Sequence, residues 1–449
     1  MSKITVDLSK KLRKIKPMHA VGQPPYTGGF RKLDFSPIKH LKNANIPYSR
    51  LHDVGGAFGS NRFVDIPNIF RDFDADEFDP NSYDFSFTDS LLEAMNSYGL
   101  KPIYRLGVTI ENQVHIKALW IHPPKDYAKW ARICEHIIRH YNEGWSDGFF
   151  YDIKYWEIWC EPENDVTPEL NQLWTGTSEQ FFELYDITSK HLKNCFGDKI
   201  KVGGYGSCGF GGLFYEPEKY GIDYPKIPIG PTYDKSIYRL NFFYDFLKYV
   251  KSHNTPLDFF SWHSYHDVEK TIIMDEFVDK ALKEYGYSNV ENLLDEWNNA
   301  HTNELHGSSY ASAAAASMML ALQNSYTNMA CYYDTRIQAS AYGGFFAPLT
   351  YEPVSTYYSF AAFGRLYSLG TQVNADIKCD KKGLYAVAAT NGKKHALMIA
   401  NCTGETQQLT FEGVDFTDAH LYLIDKLHLL SMTFDSSQIA NNTVMLIEW

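Results

Sequence analysis

Two glutamates in short apolar segments rich in tryptophan are the residues of this chain best suited to chemistry. Glu161 ends the segment Trp-Glu-Ile-Trp-Cys-Glu at 156–161, and Glu296 lies in Leu-Leu-Asp-Glu-Trp at 293–297. A carboxylate is costly to place beside large aromatic surfaces, because burial disfavours its charged form and raises its pKa. Glycosidic bond cleavage needs two such groups, an acid for the leaving oxygen and a carboxylate on the opposite face of the sugar. The two glutamates are therefore a candidate catalytic pair.

The elements that carry these glutamates indicate a parallel barrel. From about residue 17 to 365, short β-rich apolar runs alternate with longer helical patterns, which is typical of βα units. Eight candidate strands lie at 18–22, 47–52, 102–106, 154–159, 201–204, 257–263, 292–296 and 330–334. Candidate helices lie at 84–98, 124–141, 178–194, 239–252 and 309–327, with Pro124 in a first turn and Ser178 as an N-cap.

The positions of the two glutamates fit a (β/α)8 barrel, in which catalytic groups lie at the C-terminal ends of the strands. Glu161 falls just past the fourth candidate strand, and Glu296 falls at the end of the seventh. We therefore expect both side chains to face one cavity, although 135 residues separate them (296 − 161).

A second module follows the barrel pattern. After about residue 366, alternating strand-like runs appear at 383–390, 394–401, 407–411, 419–425 and 443–448. The stretch 4–8 is also strand-like and could join them. We predict an α/β fold class: a (β/α)8 TIM barrel at 16–365 and an accessory β-sandwich domain formed by 366–449 with 1–15.

The charge and the aromatic content of the chain indicate which kinds of partner it binds. The chain has 42 basic and 54 acidic residues, a net charge of −12 and no dense basic block, which argues against nucleic acid and anionic membrane as partners. Aromatic residues make up 16% of the chain, and such rings suit the apolar faces of sugars, although most aromatic residues in any protein belong to its core. An oligosaccharide or glycoside is the expected partner, and the oligomeric state is left open.

The cysteines and the N-terminal residues indicate the cellular compartment in which the protein is expected. Seven cysteines without CxxC spacing predict reduced thiols, with neither a disulfide framework nor a zinc site, and no metal or organic cofactor is expected. The first residues lack the apolar core of a signal peptide, and no run of about 18 apolar residues suggests a membrane span. The expected location is cytoplasmic, or secreted if a signal peptide has been removed.

Several motifs together resemble glycoside hydrolase family 39, the β-xylosidase and α-L-iduronidase family of retaining barrel glycosidases. The segment Trp-Glu-Ile-Trp-Cys-Glu-Pro is similar to the Asn-Glu-Pro motif of the family's fourth strand. Each motif is weak alone, but their order is specific: they lie at 50–53, 123–130, 156–162, 257–263 and 295–298. The resemblance covers nearly the whole chain, including the terminal β module.

The resemblance implies roles for individual residues. Glu161 would be the general acid/base and Glu296 the nucleophile of a retaining double displacement, without a metal. His52, after strand two, matches a histidine that contacts the sugar in the family, and His263, at the end of strand six, would be a substrate-binding residue of the pocket. Tyr265 matches a tyrosine that orients the nucleophile in the family.

The sequence also suggests where other residues near the pair lie. Trp297 could form a stacking wall beside the nucleophile or fill the barrel top, and we favour the wall. Glu157 shares a strand face with Glu161 and is expected to pair with Arg50 or Arg105 deeper in the barrel. Asp295, next to Glu296, is expected to face away from it. Glu163 has no clear task on its loop.

Cys160 is a departure from the family pattern, since most members have asparagine there. That asparagine donates to the sugar 2-hydroxyl, and a thiol is a poor donor. Either another amide, such as Asn164 or Asn298, replaces the contact, or the natural glycone differs from plain xylose. Cys160 as a nucleophile is disfavoured, because no basic partner is evident and buried thiols are usually inert.

The sequence thus predicts a retaining exo-acting glycosidase for β-xylosides or related glycosides. One alternative is a carbohydrate-binding barrel that has lost catalysis, for which Cys160 is the sole sequence support. Another is an α-L-arabinofuranosidase-like enzyme, or a glycosidase with a different glycone. A uronate glycone would call for a basic residue in the pocket, and Arg336 is the nearest candidate.

Overall fold

A computed structural model describes residues 2–28, 33–52, 64–109, 121–337 and 342–449. Asp53, which ends the 50–53 motif, lies outside the described residues. The strands in chain order are β1 (Ser2–Lys14), β2 (Ala20–Gly22), β3 (Thr27–Gly28), β4 (Leu33–Asp34), β5 (Tyr48–Leu51), β6 (Lys101–Leu106), β7 (Tyr155–Ile158), β8 (Lys201–Ser207), β9 (Phe259–Ser264), β10 (Glu291–Trp297), β11 (Met329–Tyr332), β12 (Thr371–Lys378), β13 (Leu384–Thr390), β14 (His395–Asn401), β15 (Gln407–Glu412), β16 (His420–Ile424), β17 (Leu429–Thr433), β18 (Gln438–Ile439) and β19 (Thr443–Glu448). The helices are α1 (Ile38–Asn43), α2 (Ile66–Ile69), α3 (Ser86–Tyr98), α4 (Tyr127–Glu143), α5 (Ser178–Phe196), α6 (Tyr233–Ser252), α7 (Val268–Glu284), α8 (Ser309–Gln323) and α9 (Ser355–Leu369).

Eight strands close into a barrel in the order β2, β5, β6, β7, β8, β9, β10 and β11. The pairs that run from β6 to β9 are parallel; Tyr155, for example, pairs with Ile103 on one side and Lys201 on the other. All eight predicted strands are present, and β7 and β10 are the fourth and the seventh barrel strands in chain order. The predicted fold class, a (β/α)8 barrel with an accessory β domain, is confirmed.

The predicted start of one helix and the predicted N-cap of another are wrong, because other residues cap these helices. Helix α4 begins at Tyr127, because the Asp126 side chain caps it by accepting from Lys129 N at 2.9 Å, so Pro124 precedes the helix. Helix α5 begins at Ser178, and Thr177 is its N-cap. Thr177 and Gln180 form a reciprocal capping box, which satisfies two N–H groups that a helix start leaves unpaired.

The chain divides into two compact units: Met1–Tyr48, Tyr265–Ile272 and Trp297–Trp449 form the first, and Ser49–Ser264 with Ile273–Glu296 form the second. The first unit contains a nine-stranded mixed sheet in the order β17, β16, β19, β14, β13, β12, β1, β15 and β18. Strand β1 lies between β12 and β15, antiparallel to the first and parallel to the second. The domain boundary placed at 365/366 stays a prediction.

The nine-stranded sheet curls over one core. The Asn401 amide, at the end of β14, donates to the carbonyl of Ile439 on β18 at 2.9 Å. Five strand spacings, or about 24 Å, would separate these strands in a flat sheet. The ends of the sheet must therefore bend towards each other, and Ile4, Leu397 and Met445 share the resulting core.

Helices α8 and α9 of the same unit pack on each other and on β13 and β14. The run of alanines in α8 presents little side-chain volume, and Ser312 bonds Ser359 of α9 at 2.8 Å, so the two helices approach closely. Among the residues described, no helix is long and apolar enough to cross a membrane.

Candidate active site

The loop after β7 fixes the backbone of Glu161. Its N–H donates to the carbonyls of Tyr205 and Gly206 on the neighbouring strand β8, at 3.1 and 3.0 Å. Glu161 has a φ of +47°, in the left-handed region that few residues other than glycine adopt. The cost of this conformation is offset by the two hydrogen bonds, and the loop holds the side chain in one direction.

The Glu161 carboxylate has two strong partners. His263 Nδ1 lies 2.8 Å from Oε1, and the Asn164 amide donates to Oε2 at 2.7 Å. Burial opposes ionisation of Glu161, but the hydrogen bond and charge of His263, together with the charge of Arg239, lower its pKa to about 2. Burial would lower the pKa of His263, yet Glu296 and Glu161 raise it. The pair therefore holds one proton, which resides on the imidazole.

Glu296 approaches this pair from the end of β10. One oxygen of Glu161, one oxygen of Glu296 and one ring nitrogen of His263 lie within 4.8 Å of one another. His263 Nε2 is 3.7 Å from Glu296 Oε2. The two glutamates thus meet, as their strand ends led us to expect. The trio has the donor types for a divalent cation, but a cation there would have to displace the proton of the imidazole.

Arg50, buried on β5, contacts the carboxyl groups of Glu296 and of two further acidic residues. Its Nε donates to Glu157 Oε2 at 2.8 Å and lies 2.6 Å from Asp295 Oδ2, while Nη1 donates to Glu296 Oε2 at 3.1 Å. The expected pairing of Glu157 with Arg50 is confirmed. The prediction that Asp295 faces away from Glu296 is wrong, because one guanidinium reaches both.

The other arginine proposed for Glu157 has a separate partner. Arg105 on β6 pairs with Asp65, which also accepts from Thr109. Arg105 therefore forms a second buried ion pair, with Asp65, and is not the partner of Glu157.

The buried carboxyl groups around Arg50 differ in protonation. Burial, together with the negative charges of Glu157 and Glu296, raises the pKa of Asp295 well above its usual range despite Arg50. Burial also opposes ionisation of Glu157, but Arg50, Asp295 and Ser261 together lower its pKa. Asp295 thus keeps its proton and can share it with Glu157, which limits the negative charge around Arg50.

Arg50→Met is expected to lower the free energy of unfolding by about 3–5 kcal/mol, because it leaves Glu157 charged and buried without its cation. Urea unfolding measures the loss. Arg71→Met is the matched control, since Arg71 pairs with Asp84 in solvent and should cost less than about 1 kcal/mol. Equal losses in the two variants would contradict a special role for the buried network.

Cys160 has basic neighbours that the sequence did not reveal. Arg50 Nη2 donates to Cys160 Sγ at 3.3 Å, and His52 Nε2 lies 3.5 Å from the same sulfur. The expectation of no basic partner is therefore wrong. Burial nevertheless raises the pKa of Cys160 well above its usual range, so the thiol stays protonated and is a poor nucleophile.

Gly206 leaves room for this cluster. A Cβ at this position would lie 2.9 Å from Arg50 Nη2 and 3.3 Å from both Cys160 Sγ and His263 Nε2. Its φ of +59° also favours glycine. Any side chain at 206 would displace the groups that hold the two glutamates.

Glu163 and Arg239 are site residues that sequence reasoning missed. Glu163 is fully buried, and its Oε1 accepts from Ser207 Oγ and Cys208 N, both at 2.8 Å. Burial raises the pKa of Glu163 to about 7, against the opposing charge of Arg239. Arg239 also donates to the carbonyl of Asn164 at 3.0 Å. The second glutamate of the sequence Glu-Pro-Glu at 161–163 was a usable signal for Glu163, whereas nothing in the sequence singles out Arg239.

The remaining predicted residues lie in the first unit and have local partners there. Trp297 is fully buried against Tyr332 and Phe360, so it has no exposed ring face for stacking on a sugar and is a core residue. The Tyr265 ring lies 4.9 Å from that of Tyr342. Its orienting role stays a prediction.

Asn298 and Arg336 are likewise engaged with neighbours. The Asn298 amide uses both hydrogens on the carbonyls of Tyr333 and Tyr342, at 2.9 and 2.7 Å, so it cannot also replace the missing sugar contact. Arg336 forms an ion pair with Asp334 at 3.0 Å, which neutralises the cation proposed for a uronate.

Known proteins share this fold and this sequence pattern. A beta-xylosidase of Geobacillus stearothermophilus is 23% identical over 216 residues, which are 46% of this chain and 35% of that protein, so the match spans about a third of its length. A glucosidase from Croceicoccus marinus superposes with a TM-score of 0.74 at 20% identity, covering 100% of this chain and 98% of the other. A GH39 beta-xylosidase from Caulobacter crescentus gives 0.67 at 15% identity and 99% coverage of each chain. The family model for glycosyl hydrolases family 39 matches residues 3–317, more than half of the sequence; the chain therefore belongs to this family.

Proposed function

We propose that the protein is a retaining exo-acting glycoside hydrolase with Glu161 as acid/base and Glu296 as nucleophile. The observation that carries the proposal is the approach of their oxygens to within 4.8 Å. Retaining enzymes hold their two carboxyl groups about 5–5.5 Å apart, whereas inverting enzymes need about 6.5–9.5 Å to admit a water between them. The short separation supports direct attack by Glu296.

In the first step, a Glu296 oxygen bonds to the anomeric carbon as the bond from that carbon to the leaving oxygen breaks. The proton on His263 passes along its 2.8 Å hydrogen bond to Glu161 and from Glu161 to the leaving oxygen, so Glu161 ends the step as a carboxylate. The proton that rests on His263 is thus available to the acid. In the second step, water attacks the glycosyl ester, Glu161 accepts the water proton, and the sugar leaves with its configuration retained.

The proposed substrates are β-xylosides or β-glucosides with one sugar cleaved from the end. The names of the relatives, beta-xylosidase and glucosidase, support this choice. Cys160 lies beside Arg50 and His52 where an asparagine amide is usual in the family, so either His52 or a glycone that needs no such amide must account for recognition at that point.

The first product of hydrolysis is expected to be the β-anomer. Proton NMR of a reaction with nitrophenyl β-xyloside or β-glucoside, recorded before mutarotation, identifies it. An α-anomer formed first would contradict direct attack by Glu296.

A nitrophenyl α-L-arabinofuranoside in the same panel tests the alternative glycone. If oligosaccharides bind in calorimetry while no member of the panel is cleaved, the protein acts as a binding barrel and the hydrolase proposal fails.

A further inference from the structure

Three side chains with different donor atoms meet between helices α4 and α5, apart from the two glutamates of the active site. Glu135 lies on α4, and His191 and Cys195 lie one turn apart on α5. Glu135 Oε2 is 2.6 Å from His191 Nε2, and Cys195 Sγ is 3.8 Å from the same nitrogen. One donor atom from each residue lies within 4.8 Å of the other two.

These separations are near those of a tetrahedral zinc site. Zinc bonds of about 2.0–2.3 Å imply about 3.6 Å between a sulfur and a nitrogen ligand and about 3.3 Å between a nitrogen and an oxygen ligand. The sulfur–nitrogen distance of 3.8 Å is already close to the first value. The nitrogen–oxygen distance of 2.6 Å is shorter than the second, so the carboxylate oxygen must move away from the nitrogen by less than about 1 Å. Two regular helices provide the three ligands, so little chain entropy opposes binding.

The surroundings allow a cation to enter and to stay. The side chains of His191 and Glu135 are 30% and 13% exposed, so the cluster is open to solvent. Arg139 lies close by and bonds the other oxygen of Glu135, Oε1, at 2.7 Å. Its charge is shared with Glu143, to which it also pairs, and its guanidinium lies over the Phe196 ring. A carboxylate that binds metal through one oxygen and accepts a hydrogen bond on the other is a common arrangement.

We propose that Glu135, His191 and Cys195 bind a zinc ion, with water as the fourth ligand. Mixed oxygen, nitrogen and sulfur donors suit zinc rather than magnesium or calcium, which take oxygen ligands. The two helices flank β7 in sequence, one before it and one after it. The ion would tie α4 to α5 and so stabilise the barrel around the strand that leads to Glu161.

Cobalt(II) titration of the purified protein tests the proposal, because cobalt replaces zinc and a thiolate ligand gives it a near-ultraviolet charge-transfer band. The wild type should show this band at one equivalent, and zinc should abolish it. Cys195→Ser should lose the band, and His191→Ala should weaken cobalt binding by more than about tenfold, the lower limit for loss of even an outer-shell group. Cys379→Ser, a partly buried cysteine outside the cluster, is the matched control and should keep the band.

The outcomes separate this cluster from other thiols. No band in the wild type, or a band that survives Cys195→Ser, would overturn the proposal; the second result would direct attention to Cys160 in the active site. A rise in melting temperature with added zinc that is present in Cys379→Ser and absent in Cys195→Ser would support it, because a ligand that binds the folded state stabilises that state.

Discussion

Glu296→Gln is expected to lower kcat for nitrophenyl glycosides by at least about 10⁴-fold, because loss of a catalytic nucleophile removes the covalent route. The amide keeps the size of the side chain but cannot attack the anomeric carbon. Arg50 Nη1, which donates to Glu296 Oε2 at 3.1 Å, can still donate to the amide oxygen, so the fold should persist. Steady-state kinetics measures the loss, and circular dichroism checks the fold.

A glutamate on the same strand provides the control. Glu291 begins β10, where Tyr155 donates to it at 2.9 Å and Lys201 pairs with it, far along the strand from Glu296. Glu291→Gln should leave kcat within about twofold, as expected for a residue outside the reacting groups. A 2-fluoro glycoside should add its sugar mass to the wild type and not to Glu296→Gln. Labelling of another residue would contradict the assigned nucleophile.

The fold was largely predictable because each barrel strand is a short apolar run between helical patterns. The accessory domain was harder. Strand β12, with the sequence Thr-Gln-Val-Asn-Ala-Asp-Ile-Lys, carries polar residues on a half-exposed face and was missed. The two-residue β18 is too short for any pattern, and it is held by Asn401 from a distant strand. Such pairings depend on the curl of the sheet, which local sequence does not encode.

The approach of Glu161 to Glu296 was predictable for a different reason, since strand ends of a barrel converge whatever the sequence between them. What could not be predicted is the direction of side chains. Asp295 and Glu296 both reach Arg50 although neighbours on a strand point to opposite faces. Trp297 packs in the core, and the Asn298 amide is used by backbone carbonyls. Each outcome depends on partners tens or hundreds of residues away.

Glu161→Ala is expected to lower kcat for glycosides with poor leaving groups by about 10²–10⁴-fold, the usual range for a general acid. A dinitrophenyl glycoside needs no proton on its leaving oxygen, so its first step should be nearly unaffected while the ester on Glu296 accumulates. Azide fits the space left by the carboxylate and needs no base, so it should restore turnover and give a β-glycosyl azide. Kinetics with azide and NMR of the product measure both effects.

The pH dependence of kcat/KM tests the same assignment of Glu161 as acid/base. In the wild type, the basic limb of kcat/KM reports loss of the one proton that Glu161 and His263 share. Because Glu296 and Glu161 raise the pKa of His263 despite its burial, this limb should lie above pH 6.5, the usual value for histidine. With a glycoside that has a poor leaving group, the residual kcat/KM of Glu161→Ala should lose this limb. If the variant keeps the basic limb of its pH profile, a group other than Glu161 must be the acid.

Glu163 is the rival for the role of acid, and the azide experiment separates the two. Its pKa of about 7 suits a general acid better than the value of about 2 for Glu161. Its position does not, because it is fully buried and its Oε1 is held by Ser207 and Cys208, whereas Glu161 lies within 4.8 Å of Glu296. Geometry must come before pKa, since a proton can be delivered only to an atom within reach. Glu163→Ala should therefore show no azide rescue; rescue in that variant alone would transfer the role of acid to Glu163 and leave Glu161 as the partner that positions His263.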